Sequence, residues 1–127
     1  MKKLENFSKA LENLRMCRNY CAPYDVVTET GLVNLFCICF EQSWKAMKEV
    51  LENQGYHKTG SPKMIIKTAF YAGMKQDEAG WLELLEQRNE AAHTYNDETA
   101  PAMIERTKET YLGLFETLEN ELRENWL

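Results

Sequence analysis

Leu32-Val33-Asn34-Leu35-Phe36-Cys37-Ile38-Cys39-Phe40-Glu41-Gln42-Ser43-Trp44-Lys45-Ala46-Met47-Lys48-Glu49-Val50-Leu51 runs without a glycine or a proline. Leu32, Leu35, Phe36, Cys39, Phe40, Ser43, Met47, Val50 and Leu51 return at three- and four-residue spacing, the period of a core-facing helix. A shorter stripe, Val33, Cys37, Phe40 and Trp44, runs beside it. The reading is a long helix from about Thr28 to Gln54, stopped by Gly55. Its first half is apolar most of the way round, more than one copy of a small bundle buries. A second copy is expected to cover the remainder, giving a homodimer with Val33, Cys37, Phe40 and Trp44 at its face.

The same period extends to both sides. Leu4, Phe7, Leu11, Leu14, Cys17 and Cys21 predict a first helix from about Leu4 to Cys21, ended by Pro23. Ser61-Pro62 is a cap followed by proline at the first helical position, opening a short helix to about Tyr71. Gly73 interrupts, and Asp77 caps a fourth helix that ends near His93, before the turn residues Asn96-Asp97. Thr99 and Pro101 open the last helix, with Ile104, Tyr111, Leu114, Phe115, Leu118 and Leu122 as its stripe. The expected fold is all-α: an up-and-down four-helix bundle with one extra short helix between helices 2 and 3. All 127 residues are expected to form a single domain.

Composition excludes several function classes. No apolar run is long enough to cross a bilayer and no export signal opens the chain, so it reads as cytoplasmic, with no membrane partner. Cys17, Cys21, Cys37 and Cys39 are then reduced, and their spacing lacks a CxxC knuckle or a nearby histidine. They read as small buried hydrophobes; no metal site and no cofactor is expected. The net charge of −5 is unevenly placed. Residues 1–52 balance, and residues 53–76 hold four lysines and no acid. Residues 77–127 hold thirteen acids against four bases. So acidic a chain is a poor general binder of nucleic acid, DNA included. The Lys-only segment, with Lys58, Lys63 and Lys67, is the one region suited to a phosphate or an acidic partner.

One helix breaks its own pattern. Trp81, Leu84 and Leu85 share a stripe whose next position is Arg88. A buried unpaired charge is costly, so Arg88 needs a partner or a cleft. Asn89 and His93 lie four residues apart on one face, and Tyr95 follows at the turn. An arginine offers a planar fork for phosphate, and a histidine titrates near neutral pH. Together they suffice for metal-independent cleavage of RNA, with His93 activating a 2′-hydroxyl and Arg88 stabilising the phosphorane. The spacing equally suits a structural Arg–carboxylate pair and a helix-end histidine favoured by the dipole. His57, alone in a loop, carries no chemistry.

The run Arg88-Asn89-Glu90-Ala91-Ala92-His93-Thr94-Tyr95 resembles the RNxxxHxY signature of the HEPN superfamily. More closely, the chain resembles the nucleotidyltransferase substrate-binding proteins, helical partners of minimal nucleotidyltransferases. Phe40-Glu41-Gln42-Ser43-Trp44-Lys45, Ser61-Pro62, Ala69-Phe70 and Trp81-Leu82 agree with that family's pattern in order and spacing. The resemblance implies a homodimer and a nucleotidyltransferase encoded nearby, often paired with the helical protein as toxin and antitoxin. It implies Arg88 and His93 as a catalytic or phosphate-binding pair on RNA or a nucleotide, oriented by Asn89. Tyr95 would be the residue adenylylated by the partner to silence a ribonuclease.

Overall fold

The computed structural model describes residues 2–56, 60–74, 76–93 and 98–127, and of His93 the backbone alone. Among the described residues there is no strand, as expected for an all-helical bundle. Helix α1 is Lys2–Leu14, continued by a 3₁₀ turn, Arg15–Asn19. Helix α2 is Val26–Asn53, α3 is Pro62–Tyr71 and α4 is Glu78–His93. Helix α5, Thr99–Arg106, passes through a π-helical turn, Thr107–Tyr111, into α6, Leu112–Asn125. No described helix is long and apolar enough to cross a membrane.

The helix ends obey local chemistry. The Asp25 carboxylate accepts the Thr28 amide at 2.8 Å, which starts α2 two residues earlier than its apolar period suggests. Ser61 Oγ accepts from the Met64 amide at 3.3 Å, with Pro62 next, as expected. Gly55 and Gly73, at φ 95° and 94°, end α2 and α3 in the same way. The amide after each glycine bonds back to a helical carbonyl, Tyr56 to Leu51 and Met74 to Ala69, at 3.0 Å. That is the Schellman closure, and it needs the left-handed backbone that glycine adopts without strain. The first helix departs from expectation. Its α-helical part ends at Leu14, and the tightened turn leaves Cys17 buried and Cys21 exposed beyond it.

Helix α2 is the hub, packing against α1, α3, α4, α5 and α6. Its stripe supplies Leu32, Phe36, Cys39, Phe40, Met47, Val50 and Leu51 to one continuous core. An aromatic seam crosses that core. Trp81 of α4 meets Phe40 of α2 at 6.2 Å between ring centroids and Phe115 of α6 edge-on at 5.5 Å. Phe115 in turn meets Phe36 at 6.1 Å and Phe7 of α1 at 6.3 Å. Each pair adds about 0.5–1.5 kcal/mol beyond the burial itself. Of the four α2 residues expected at a dimer face, Val33 and Phe40 are covered within the single chain. Cys37 and Trp44 are half-buried, and the apolar residues that α2 leaves exposed are Val26, Val27 and Ile38.

A polar clasp joins α4 to the π turn. Glu83 accepts from Arg106 and from the Tyr111 hydroxyl, each at 2.7 Å, and the Arg106 guanidinium lies over the Tyr111 ring. The bond to Arg106, then that from Tyr111, holds Glu83 below its ordinary carboxyl value of 4.5. Burial, then the bond to Glu83, pushes Tyr111 up to about 12.

Two outcomes follow from this packing. Trp81→Ala is expected to cost about 3–5 kcal/mol, a large share of a typical roughly 5–15 kcal/mol, measured by denaturant unfolding. For the clasp, the folded Glu83 carboxylate takes up its proton less readily than in the unfolded chain. Its contribution is therefore complete above the ordinary carboxyl value and lost as pH falls through the lower folded one. Glu83→Gln is expected to lose less stability than the wild type between neutral pH and about pH 3. Equal losses would remove the clasp from that pH window.

Candidate functional site

The stripe of α4 places the site. Trp81 and Leu84 are buried, Leu85 is half-buried, and Arg88 follows in the same register, seven residues after Trp81. Two turns of helix carry the chain roughly 10 Å along and return it to nearly the same face. The arginine therefore meets the ring that Trp81 packs against. Its guanidinium carbon stands 5.4 Å from the Phe40 ring centroid. One nitrogen, Nη1, donates to Glu41 Oε2 at 3.0 Å, and Nε donates to Asn89 Oδ1 at 3.1 Å. A ring beneath, a carboxylate at one edge and an amide at another fix the plane of the fork.

Glu41 is the organising group that the sequence did not single out. The carboxylate partner expected for Arg88 had no name, because it lies 47 positions away on another helix. Glu41 Oε2 also accepts from the Trp44 indole at 3.1 Å, and Oε1 lies 3.6 Å from Lys45 Nζ. Its sequence signals were its place in the Phe40–Lys45 segment and its position directly after Phe40, at the edge of the stripe shared with Trp44; neither pointed to Arg88. Trp44 thus acts here as a hydrogen-bond donor that steadies Glu41. Arg88 is a quarter exposed and Glu41 about a third, so the pair sits at a rim rather than in the core. That position limits its contribution to stability and leaves the cation near solvent.

The surroundings are chemically quiet. Burial pushes the Cys37 thiol up, against the opposing pull of Arg88, so it stays protonated near neutral pH. Asn89 is exposed and lines a groove of about 310 Å³ between α3 and α4, with Lys63, Leu82, Leu85 and Glu86. Lys63 thus reaches the neighbourhood of the site, and Lys67 is exposed one turn further along α3. Helix α4 carries the backbone of His93 as its last residue. The His93 side chain, Tyr95 and Lys58 lie outside the described residues. Arg88, Asn89, Phe40 and Trp44 are brought together; Val33, on the same α2 stripe, is two turns from Phe40.

The Arg88–Glu41 link is measurable apart from any activity. Each single alanine variant is expected to lose about 0.5–1 kcal/mol, and a double-mutant cycle to return a coupling of the same order. A coupling of zero would show that solvent screens the pair completely.

Comparisons with known proteins agree with the all-helical fold. The family model described as "Nucleotidyltransferase substrate binding protein like" matches residues 2–124. The chain is similar to a protein of solved structure, ttk003001694 from Thermus Thermophilus. The two are 28% identical with a TM-score of 0.81, over 93% of this chain and 99% of the other. No curated protein matches. With the family model reaching into every helix described above, this chain belongs to the nucleotidyltransferase substrate-binding-protein-like family.

Proposed function

We propose that this chain is the helical subunit of a pair whose other member is a minimal nucleotidyltransferase encoded beside it. In this reading it acts as a homodimer, and the pair works in the manner of a toxin and its antitoxin. The observation that carries the reading is the family match across residues 2–124, which includes Arg88 and the segment following it. The role is one of binding: the helical subunit docks on the nucleotidyltransferase and brings or is its substrate, with Tyr95 as the nucleotide acceptor. Purified together, the two proteins are expected to elute as one complex, and intact mass after incubation with ATP to show one adenylyl group per chain. Tyr95→Phe is expected to abolish that increment. Separate elution of the two proteins would refute the partnership.

A second reading has its own support, the fixed plane of the Arg88 fork on the helix that ends at His93. Held by Phe40 and Glu41, Arg88 offers a phosphate a preset orientation. In the ribonuclease reading His93 removes the proton of a ribose 2′-hydroxyl. The 2′-oxygen attacks the adjacent phosphorus, the bond to the 5′-oxygen breaks, that oxygen takes the proton now held by His93 and leaves as a hydroxyl, and a cyclic phosphate end remains. Arg88 neutralises the charge that develops on the phosphorane, and no metal takes part in these steps. Incubated with total RNA in EDTA, the unmodified protein is expected to leave cyclic phosphate ends. Arg88→Ala and His93→Ala are expected to lower cleavage by about a hundredfold or more. Fragments that persist in both variants would come from another nuclease.

A further inference from the structure

Helix α3 is apolar on two opposite sides. At 100° per residue, Ile65, Ile66 and Ala69 share one arc, and all three are fully buried in the core. Lys63, Met64, Lys67, Phe70 and Tyr71 fall within an arc of roughly 120° on the opposite side. All five are exposed. Met64, Phe70 and Tyr71 are 54%, 50% and 86% exposed, three large apolar side chains on one ten-residue helix. Three large apolar side chains exposed on one face of one short helix mark a candidate interaction surface. No acid occurs between residues 60 and 74, in a chain of net charge −5. The outer face of α3 therefore sets three large apolar side chains, two of them aromatic, around the ammonium group of Lys67, with that of Lys63 beside them.

We infer that this face is where the nucleotidyltransferase seats, presenting a surface on which apolar side chains and carboxylates are interspersed. The inference rests on the partnership proposed above and adds the surface and its chemistry. Charge complementarity selects the occupant. A surface carrying Lys63 and Lys67 attracts carboxylates, and Met64, Phe70 and Tyr71 belong to residue types enriched at protein interfaces. A nucleic-acid strand fits less well. Two lysines neutralise few phosphates, and Glu86 lines the groove that Lys63 enters. The position has a consequence for the site. The same groove reaches Asn89, which holds Arg88, so a protein seated on α3 stands beside the arginine end of α4.

The test uses the full-length chain and the nucleotidyltransferase encoded beside it, with binding measured by calorimetry at low and high salt. Lys63→Glu combined with Lys67→Glu is expected to weaken binding at least about tenfold and to flatten its salt dependence. Phe70→Ser combined with Tyr71→Ser is expected to weaken it about thirtyfold or more. Both pairs are exposed, and circular dichroism checks that the variants fold. Lys9→Glu, an exposed charge reversal on α1, is expected to bind as the wild type does. Wild-type affinity in both α3 variants, or loss in Lys9→Glu alone, overturns the α3 surface and leaves the partnership standing. No binding by the wild type overturns both. Loss of binding to a labelled uridine oligonucleotide, with nucleotidyltransferase binding intact, assigns the face to RNA and overturns the inference.

Discussion

Phe40 fixes the relation between the core and the rim. Its ring packs against Trp81, the first large residue on the inner stripe of α4, and also underlies Arg88, the last long one. These contacts lie seven residues apart on a helix that repeats its face over that distance. The placement of Trp81 between Phe40 and Phe115 therefore sets the register of Arg88 as well. A slip of one residue on α4 would rotate the guanidinium away from Glu41 by about 100° and take Trp81 out of the seam. The costs of those two errors add, so the core enforces the geometry of the rim far more strongly than one partly exposed ion pair does.

An arginine on an apolar stripe survives because the stripe ends there. Trp81 and Leu84 are fully enclosed, Leu85 is partly covered, and Arg88 is a quarter exposed. Burial declines along the helix as it approaches its end, so the charge keeps part of its hydration while its stem packs on Phe40. Glu41 supplies the charge that a deeper site would require, and the Trp44 indole and Lys45 steady Glu41 in turn. The result is a cation with a fixed plane and little net stabilisation. That combination is costly to maintain for structure alone, since an apolar residue at position 88 would pack on Phe40 without desolvating a charge.

The sequence made the helices and the Arg88 anomaly legible because both depend on neighbours within a few residues. The apolar period, the Ser61-Pro62 cap, the Asp77 cap and the Gly55 stop are local signals. Glu41 was not legible as the partner of Arg88. On α2 it is one acid at the polar edge of a long helix, and only the packing of α2 on α4 shows that it, rather than Glu49 or Glu52, meets Arg88. The 3₁₀ turn at Arg15–Asn19 was hidden for a similar reason: Cys17 and Cys21 keep helical spacing while the backbone tightens. The π turn at Thr107–Tyr111 leaves the stripe of the last helix nearly intact. Its extra residue per turn accompanies the burial of Thr107 and the reach of Tyr111 to Glu83.

The apolar surplus that the period of α2 suggested is real but distributed differently. Phe40 cannot serve another chain while Trp81 and Arg88 cover it, whereas Val26, Val27 and Ile38 remain open on α2, and Met64, Phe70 and Tyr71 on α3. Two apolar surfaces on one small bundle give separate places for two kinds of contact. The α2 set has no lysine within its own span from Val26 to Ile38, so it suits a like surface, such as a second copy. The α3 set is interspersed with Lys63 and Lys67 and suits an unlike, acidic one. The two sets share no residue, so a contact made at one leaves the side chains of the other uncovered.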